Sequence, residues 1–215
     1  MRPVTLRTRY GTALVVSGPS GTGKTSVCKK LLGRDESLHF SVSCTTRPAR
    51  QGEEDGKDYY FLSRDEFTQR IREGAFIEFA EVHGNYYGTL RREVEQYVLN
   101  GEDVLLDIDV QGAREIRNEI FNTVLGYCTV YAYVGPPSFD EMERRLRGRG
   151  TDDEEVIARR LENAVNELKA WREYDYMVIN DDLDEAVANL NSILKAAQFM
   201  TARYSVSPWQ QNSEE

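Results

Sequence analysis

Four short apolar runs recur along the chain, separated by longer stretches in which the apolar residues have helical spacing. The runs cover residues 13–17, 103–108, 128–134 and 176–179. A strand that is buried on both faces is apolar along its whole length, so these runs predict the central strands of a parallel sheet. Strands that alternate with helical patterns are typical of crossover connections. The pattern therefore predicts an α/β fold.

Two later stretches place their apolar residues on a single helical face, which predicts core-packing helices. These residues are Ile157, Leu161, Ala164, Val165, Leu168 and Trp171 in the first stretch and Val187, Leu190, Leu194 and Ala197 in the second. Three helix starts are marked by a hydroxyl residue followed three positions later by a glutamate, at Ser63–Glu66, Ser138–Glu141 and Thr151–Glu154. In such a capping box the two side chains satisfy free first-turn N–H groups.

Residues 39–100 interrupt this alternation. The segments HFSVSC, DYYFL and FIEFAEVHGNYYG are rich in aromatic and β-branched residues and lie close together along the chain. This composition favours short antiparallel strands inserted into the α/β body. We interpret the insertion as a small substrate-binding subdomain.

Composition and charge narrow the class of protein. A chain of 215 residues with 40% hydrophobic content can bury the core of one compact domain. The formal charge of −9 argues against a general nucleic-acid surface, where neutralisation of phosphates supplies most of the attraction. Cys28, Cys44 and Cys128 are widely spaced and not arranged as metal ligands, which is typical of small apolar fillers in a reducing compartment.

The chain shows no long apolar stretch of the kind that crosses a membrane, which needs about 18 apolar residues. We therefore expect a cytoplasmic protein without a membrane partner. The polar composition of residues 205–215 predicts a loose tail. Neither histidine, His39 or His83, is assigned a role.

The strongest motif is GPSGTGKT at residues 18–25, which fits G-x-x-x-x-G-K-[ST] between a predicted strand and a predicted helix. Its glycines let backbone N–H groups point at an anion, and the following helix adds its positive end. Lys24 is expected to reach the β- and γ-phosphates of a nucleotide, and the Thr25 hydroxyl to ligate Mg²⁺. The candidate ATP-binding residues here are Gly18, Pro19, Ser20, Gly21, Thr22, Gly23, Lys24, Thr25 and Ser26.

A phosphate loop needs a carboxylate at the end of a neighbouring strand to hold the metal or its waters. Asp107 and Asp109 follow the apolar run 103–108, and strand alternation points both to one side. Asp107 is the candidate metal residue beside Thr25. The alternative is that these acids merely end a strand and cap the next helix.

A second anion site is indicated by the segment SVSCTTRPARQGEEDGKDYYF at residues 41–61. Arginine forks match phosphate oxygens two at a time, and Arg47 and Arg50 lie among hydroxyl and phenol side chains. Two arginines near a proline can also be an ordinary solvated loop. The N-K-x-D guanine clamp expected of a GTPase does not occur in the sequence.

The motifs together resemble those of guanylate kinases over residues 13–200. The matching segments are SGPSGTGKT, SVSCTTRPAR, GKDYYF, FIEFAEVHGNYYG, LLDIDVQG, RLRGRGT and NDDL. The resemblance implies the P-loop nucleoside monophosphate kinase fold, with a parallel sheet core that has helices on both faces, a small mixed-β GMP-binding subdomain and a helical lid. It also implies transfer of the γ-phosphate of ATP, with Mg²⁺, to GMP and to dGMP.

By the same resemblance the chain is one domain in three parts, followed by a flexible tail at residues 203–215. The core comprises 10–38, 90–140 and 165–202, the GMP-binding region 39–89 and the lid 141–164. The GMP-binding residues implied are Ser43, Arg47, Arg50, Tyr59, Glu78, Tyr87, Thr89, Asp107 and Asp109, with the arginines and tyrosines on the phosphate and Ser43, Glu78 and Thr89 on the base. Guanine offers adjacent N1–H and N2–H donors that a carboxylate accepts together. By strand alternation alone, Glu78 is either such a reader or a solvent-facing residue.

A locally basic stretch, with Arg144, Arg145, Arg147, Arg149, Arg159 and Arg160, predicts a lid that neutralises charge during phosphoryl transfer. The resemblance favours Arg145, Arg149 and Arg160 as catalytic residues beside Lys24 and Arg47. Arg144, Arg147 and Arg159 are expected to be solvated or paired with glutamates one helical turn away. Closure of this lid and of residues 39–100 over both nucleotides would exclude water.

Some alternatives stay open at the level of the sequence. Asn180 either contacts the ATP base or belongs to a turn that caps the helix from residue 183. A catalytically inactive, protein-binding relative of guanylate kinase is a second function, although such a protein would be expected to lose Lys24 and the lid arginines. A kinase for another monophosphate is a third. Oligomeric state, rate constants and the choice between GMP and dGMP are not determined.

Overall fold

A five-stranded parallel sheet and a smaller four-stranded sheet organise the molecule, whose computed structural model describes residues 9–50, 52–82, 84–148 and 154–205. The strands are β1 (Ala13–Ser17), β2 (His39–Phe40), β3 (Cys44–Thr45), β4 (Tyr60–Phe61), β5 (Phe76–Val82), β6 (Asn85–Leu90), β7 (Val104–Asp107), β8 (Thr129–Gly135) and β9 (Tyr176–Ile179). The helices are α1 (Lys24–Leu32), α2 (Arg64–Arg72), α3 (Arg91–Leu99), α4 (Val110–Glu119), α5 (Val124–Tyr127), α6 (Phe139–Arg147), α7 (Glu154–Leu168) and α8 (Leu183–Ala197), with 3₁₀ helices at Lys169–Glu173 and Thr201–Arg203.

The large sheet has the strand order β2–β7–β1–β8–β9, and all of its pairs are parallel. The four predicted central strands are all present within one residue of their predicted bounds. Every residue of β1 and β8 is buried, as expected for strands covered on both faces. The carboxyl ends of β1 and β7 meet at one edge, where Val16 lies opposite Asp107.

The two faces of this sheet are covered by different helices, as the α/β prediction requires. Leu14 and Val16 point to the face packed by α1 and α8, whereas Ala13 and Val15 point to the face packed by α3 and α4. This separation follows from the alternation of side chains along a strand. The predicted α8 face is confirmed, because its four apolar residues are all buried.

The smaller sheet has the order β4–β3–β6–β5 and packs its apolar side on α2, where the Phe67 ring stacks 4.4 Å from that of Phe76. The prediction of antiparallel strands is right for the β3–β6 and β5–β6 pairs but wrong elsewhere. β3 and β4 pair in parallel, and His39–Phe40 adds a parallel strand to the large sheet beside β7. The backbone of His39 is hydrogen-bonded to Asp103 there, which places the start of HFSVSC outside the small sheet.

Helix α7 differs from its predicted role as a core-packing helix. Ile157 and Ala164 are buried, but Val165 and Trp171 are 39% and 42% exposed. The helix packs on α6 through a narrow stripe, in which Leu161, Ala164 and Leu168 contact Met142 and Leu146. Val165 lies too far around the helix to join this stripe, and the 3₁₀ turn after Leu168 rotates Trp171 away.

The predicted helix starts are mostly observed. Ser63 and Glu66 form the complete reciprocal capping box of α2. Ser138 accepts the Glu141 N–H at 3.1 Å at the start of α6. Thr151 lies outside the described residues.

The assignment of residue 203 to a flexible tail is wrong. Arg203 is completely buried, and its guanidinium donates to Asp103 at 3.0 Å, to the Tyr10 carbonyl at 2.7 Å and to the Ala197 carbonyl at 3.0 Å. Tyr10 and Asp103 lie far from Arg203 in the sequence, and the Ala197 carbonyl is available to it because α8 ends at that residue. Composition alone could not reveal these partners. Residues 206–215 lie outside the described part. Among the described residues, no helix has the length and apolar character needed to cross a bilayer.

Candidate active site

The phosphate loop connects β1 to α1 and encloses a cavity of about 220 Å³. Gly18 and Gly23 have φ angles of 146° and 82°, which only glycine adopts without strain. A side chain at Gly18 would also collide with the Val134 carbonyl, 2.2 Å from the position of its Cβ. The cavity is lined by all nine predicted residues of the loop, from Gly18 to Ser26, and by Asp109 and Glu167. Its shape is therefore set by backbone geometry.

Lys24 and Thr25 converge on Asp107 at the mouth of the loop. The Lys24 Nζ lies 2.7 Å from one carboxylate oxygen and donates to the Ile108 carbonyl at 2.6 Å, while the Thr25 hydroxyl donates to the other carboxylate oxygen at 2.9 Å. Burial lowers the pKa of Lys24, but the Asp107 carboxylate more than offsets this, so its pKa is raised overall. Lys24 thus carries its charge at neutral pH.

The side chains of Thr25 and Asp107 show whether the site fits Mg²⁺. The Thr25 hydroxyl and the Asp107 carboxylate are hard oxygen donors of the kind that Mg²⁺ prefers. Within the described part of the chain, no group of three or more His, Cys, Asp or Glu side chains could hold a metal by itself. Thr25 and Asp107 together fit a Mg²⁺ ion that keeps some of its waters and takes its other ligands from substrate phosphates.

A second cavity, of about 240 Å³, opens between the small sheet and the carboxyl end of β7. Its lining includes six of the predicted GMP-binding residues, which come from four separate segments of the chain: Ser43, Tyr59, Glu78, Tyr87, Asp107 and Asp109. The backbone that follows β7 closes one wall at Ile108.

Glu78 lies in this second cavity and is only 9% exposed. One carboxylate oxygen accepts the Thr89 hydroxyl at 2.7 Å. Burial raises the pKa of Glu78 to about 7, and the nearby Asp109 and Glu115 carboxylates add to the shift. Of the two alternatives left by strand alternation, the solvent-facing one is therefore wrong. A buried carboxylate in the lining of the cavity is available to accept donors from a ligand.

Asp109 lines both cavities and marks where they adjoin. Its carboxylate also accepts the Gly112 N–H at 2.7 Å, which makes it the cap of α4. The helix-capping alternative is thus correct for Asp109 without excluding it from the cleft. A group bound in one cavity can lie next to a group bound in the other.

Arg47 and Arg50 converge on Glu53, a residue that the sequence analysis missed. Two nitrogens of the Arg47 guanidinium donate to the two oxygens of Glu53 at 2.9 Å, and the Arg50 N–H donates to it at 2.7 Å. These hydrogen bonds, that of Arg47 first, lower the pKa of Glu53 to about 2. The Arg47 guanidinium also lies 5.4 Å from the centre of the Tyr59 ring, at the edge of the second cavity. The only sequence signal for Glu53 is an acid six residues after Arg47.

The lid arginines fall into two groups. Arg144 and Arg147 pair with Glu141 and Glu143 one turn away, as expected of ordinary helical arginines. Arg145 also pairs with Glu141, at 2.6 Å, but in addition donates to the Thr22 carbonyl of the phosphate loop at 3.3 Å and to the Asn180 carbonyl at 2.9 Å. Arg160 lies half-buried on α7, and Arg149 lies outside the described residues.

Asn180 supports the phosphate loop from behind. Its side-chain amide donates to the Thr22 carbonyl at 2.7 Å, and the residue is buried. The residue that caps α8 is Asp182, so the alternative in which Asn180 ends a capping turn is wrong for its side chain. Asn180 is not among the residues that line the loop cavity.

The remaining sequence expectations concern residues away from the cleft. Cys28, Cys44 and Cys128 are free and buried, as predicted for apolar fillers. His39 stacks on Tyr97 with ring centres 4.2 Å apart and lines neither cavity. His83 lies outside the described residues.

Glu167 lines the loop cavity and was not anticipated, since its place on α7 gives no sign of a site.

A phosphate loop whose cavity adjoins a second cavity with a buried carboxylate, both at the carboxyl edge of a parallel sheet, defines a P-loop nucleoside monophosphate kinase. Comparison with known proteins narrows this class. The sequence model of the guanylate kinase family matches residues 10–197. The chain belongs to the guanylate kinase family, and it transfers the γ-phosphate of ATP to GMP.

The individual relatives support this assignment. The guanylate kinase of Thermotoga maritima is 47% identical over 193 residues, which cover 90% of each chain. That of Hydrogenovibrio crunogenus is 48% identical over 186 residues, covering 86% of this chain and 88% of the relative. The crystal structure of guanylate kinase from Anaplasma phagocytophilum matches with a TM-score of 0.73 and 38% sequence identity. The match covers 92% of this chain and 91% of that chain.

Proposed function

We propose that ATP places its β- and γ-phosphates in the loop cavity and that GMP occupies the second cavity, with Asp109 between them. The loop N–H groups and the positive end of α1 attract the phosphates, and Lys24 exchanges Asp107 for phosphate oxygens. The single observation that carries this proposal is that Asp109 lines both cavities, because transfer requires donor and acceptor oxygens to meet.

Thr25 and Asp107 would hold Mg²⁺ together with the nucleotide, Thr25 through its hydroxyl and Asp107 directly or through water. When bound, the ion neutralises charge on the transferring phosphate. The Asp107 carboxylate also lines the second cavity, so it faces both substrates in the proposed arrangement. Here it would additionally orient GMP, as would Asp109.

We assign recognition of guanine to Ser43, Glu78 and Thr89. The carboxylate of Glu78 accepts the two adjacent donors of the base, and Thr89 holds one of its oxygens in place. Only the ionised carboxylate can accept both donors. Because the pKa of Glu78 is about 7 in the absence of such donors, binding of GMP lowers this pKa and releases a proton near neutral pH.

The GMP phosphate would bind to Arg47, Arg50, Tyr59 and Tyr87. Arg47 and Tyr59 are already adjacent, and Tyr59 and Tyr87 meet edge to face with ring centres 6.0 Å apart. Arginine prefers phosphate as a two-oxygen partner, so the phosphate can take the place of Glu53 on Arg47. The region 39–89 and the lid 141–164 then close over the core as separate parts.

Catalysis by positive charge is proposed for Lys24, Arg47, Arg145, Arg149 and Arg160. Arg145 is the described lid arginine with a bond to the phosphate loop, which puts it within reach of the transferring phosphate. We also propose that Asn180, whose carbonyl accepts a hydrogen bond from Arg145, lies near the ATP base. We further propose that dGMP is an acceptor, because the contacts proposed for GMP involve its base and phosphate and not its ribose. We also propose that the enzyme is cytoplasmic, where its free cysteines stay reduced.

An acceptor panel tests the proposed base recognition. Initial rates with ATP and Mg²⁺ are measured for GMP, dGMP, AMP, UMP and CMP in a coupled assay. We expect turnover with GMP and dGMP and rates lower by about 10,000-fold with AMP, which lacks the paired donors. Rapid use of AMP would contradict the role of Glu78, and absence of turnover with every acceptor would favour the inactive binding module.

A further inference from the structure

Glu167 is an acidic side chain in a cavity that otherwise attracts anions. It lies on the last turn of α7, is half-buried and lines the loop cavity together with residues 18–26. Among the described residues, only Glu167 and Asp109 line this cavity from outside the loop itself. No part of the proposed catalytic arrangement uses it.

The side chain of Glu167 lines the loop cavity together with Ser20. The backbone N–H of Ser20, one of the groups that the loop offers to an anion, acts to lower the pKa of this carboxyl. Lys24 on α1 attracts the carboxylate and Asp109 at the start of α4 repels it. A negatively charged side chain is therefore placed beside a donor of the phosphate loop.

The position of this carboxylate is fixed by packing rather than by a flexible surface turn. The Tyr133 hydroxyl on β8 donates to the Glu167 carbonyl at 3.2 Å. The Leu168 side chain packs with Met142 and Leu146 of α6. Leu146 in turn lies against the loop, since a Cβ on Gly21 would be 2.7 Å from its Cγ. The loop, α6 and α7 thus form one packed unit around Glu167.

The environment of Glu167 does not favour its charge. Burial raises its pKa, and the Asp109 carboxylate raises it further, while the Ser20 N–H and Lys24 act in the opposite direction. The phenol of Tyr133 also lies near and is itself disfavoured as an anion by burial, which raises its pKa. A polyphosphate in the cavity would repel the carboxylate more strongly than Asp109 does, because it brings several negative charges to the same donors.

We propose that Glu167 is an internal anion that competes with the nucleotide phosphates for the Ser20 end of the loop and must withdraw or take up a proton when ATP binds. This inference rests on the proposed location of the ATP phosphates. The competition weakens binding of every polyphosphate that reaches this donor and leaves GMP binding unaffected. It also couples ATP binding to pH, because the bound phosphates raise the pKa of Glu167 above its value in the free protein.

The test is calorimetric titration of the full chain with Mg²⁺–ATP and, separately, with inorganic tripolyphosphate. Glu167→Gln keeps the shape and an acceptor for Ser20 but removes the charge. At neutral pH we expect it to bind both probes at least about threefold more tightly than the wild type, by loss of like-charge repulsion. Glu162→Gln, an exposed change on the same helix, should bind both as the wild type does, and GMP affinity should be equal in all three proteins.

A second readout is the proton uptake that accompanies ATP binding, obtained by repeating the titration at mildly acidic pH in two buffers of different ionisation enthalpy. The wild type should take up more protons than Glu167→Gln. Unchanged or weaker ATP binding by Glu167→Gln, or equal proton uptake, would overturn the inference. If this variant does not fold, Glu167→Asp, which retracts the charge from Ser20, should also bind ATP more tightly.

The location of the phosphates is checked independently with Lys24→Met. Loss of tripolyphosphate binding in this variant supports the location whatever happens at Glu167. Unchanged binding in Lys24→Met would reject the proposed location, and the inference about Glu167 with it. A failure confined to the Glu167 variants would leave the proposed function intact.

Discussion

The two cavities of the cleft are of similar size but are built in different ways. The loop cavity is formed mainly by nine consecutive residues, and its donors are backbone N–H groups. The second cavity is formed by side chains from the segment before β3, the loop before β4, the β5–β6 hairpin, and the end of β7 with the residues that follow it. Backbone donors bind any polyphosphate, whereas a particular set of side chains can distinguish one base from another. We therefore expect the loop to supply affinity for phosphates and the second cavity to supply selectivity for the base.

The buried carboxylates show the same contrast. At the mouth of the loop, Asp107 is paired with Lys24 at 2.7 Å. In the second cavity, Glu78 has a hydroxyl partner but no cation among its described contacts, and its pKa is raised to about 7. Glu78 therefore changes its charge within the physiological range of pH. The two cavities should therefore respond differently to substitution and to pH.

The largest effect is expected from removing the loop cation. Lys24→Met should lower kcat by about 1,000-fold or more with every acceptor, because the developing charge on the transferring phosphate loses its nearest cation. GMP affinity, measured by calorimetry, should change little. Lys30→Met, on the exposed face of the same helix, is the control. A variant that lost GMP binding as well would contradict the separation of the cavities.

The second-largest effect is expected from removing the negative charge of Glu78, which we propose recognises the base. Glu78→Gln should reduce kcat/KM for GMP by about 100-fold or more, because an amide cannot accept both guanine donors and one buried group is left unpaired. ATP affinity should be unchanged. Glu81→Gln, an exposed change on the same strand, provides the comparison. Normal GMP kinetics in Glu78→Gln would remove this residue from the site.

The third effect is a pH dependence of GMP binding alone. The pKa of Glu78 is raised, so the carboxyl is protonated below about pH 7 and must ionise to bind guanine. Affinity for GMP should therefore weaken about tenfold for each pH unit below 7 and level off above it. Fluorescence or calorimetric titrations over this range provide the measurement. The same slope in Glu78→Gln would assign the dependence to another group.

A smaller effect is expected from the hydroxyl that orients Glu78. Thr89→Val removes the donor at 2.7 Å and should weaken GMP binding about tenfold, the usual consequence of losing one hydrogen bond to a charged group. It should also raise the pKa of Glu78, which moves the pH profile to higher values. Thr89→Ser retains the hydroxyl and should behave as the wild type. An unshifted profile in Thr89→Val would argue against this positioning role.

The smallest effect concerns the partner of Arg47. Glu53→Gln leaves a weaker competitor for the guanidinium. Because the Arg47 and Glu53 side chains are only 12% and 20% exposed, the KM for GMP should fall by at least the roughly twofold to fivefold that is typical of an exposed ion pair. Glu54→Gln, at the neighbouring exposed position, should have no such effect. A higher KM in Glu53→Gln would show instead that Glu53 positions Arg47.

Local patterns were sufficient for features that depend on contiguous residues. The four central strands, the α8 face and the capping box at Ser63 could be predicted because their causes lie within a few residues of each other. The α7 face was predicted less well, because exposure of Val165 and Trp171 depends on how narrow the contact with α6 is. His39–Phe40 was assigned to the wrong sheet because both sheets accept the same β-rich composition.

The sequence by itself determined the phosphate loop, since its geometry follows from the order of glycines, Lys24 and Thr25 along nine residues. Only the tertiary structure decided that Arg203 is buried, that Glu53 holds Arg47 and that Glu167 enters the loop cavity. It also decided that Asp109 lies between the two cavities. Burial and charge pairing depend on which distant segments of the chain come into contact. The sequence gives only the residue type, and this is the same whether a carboxylate contacts water, a cation or a phosphate loop.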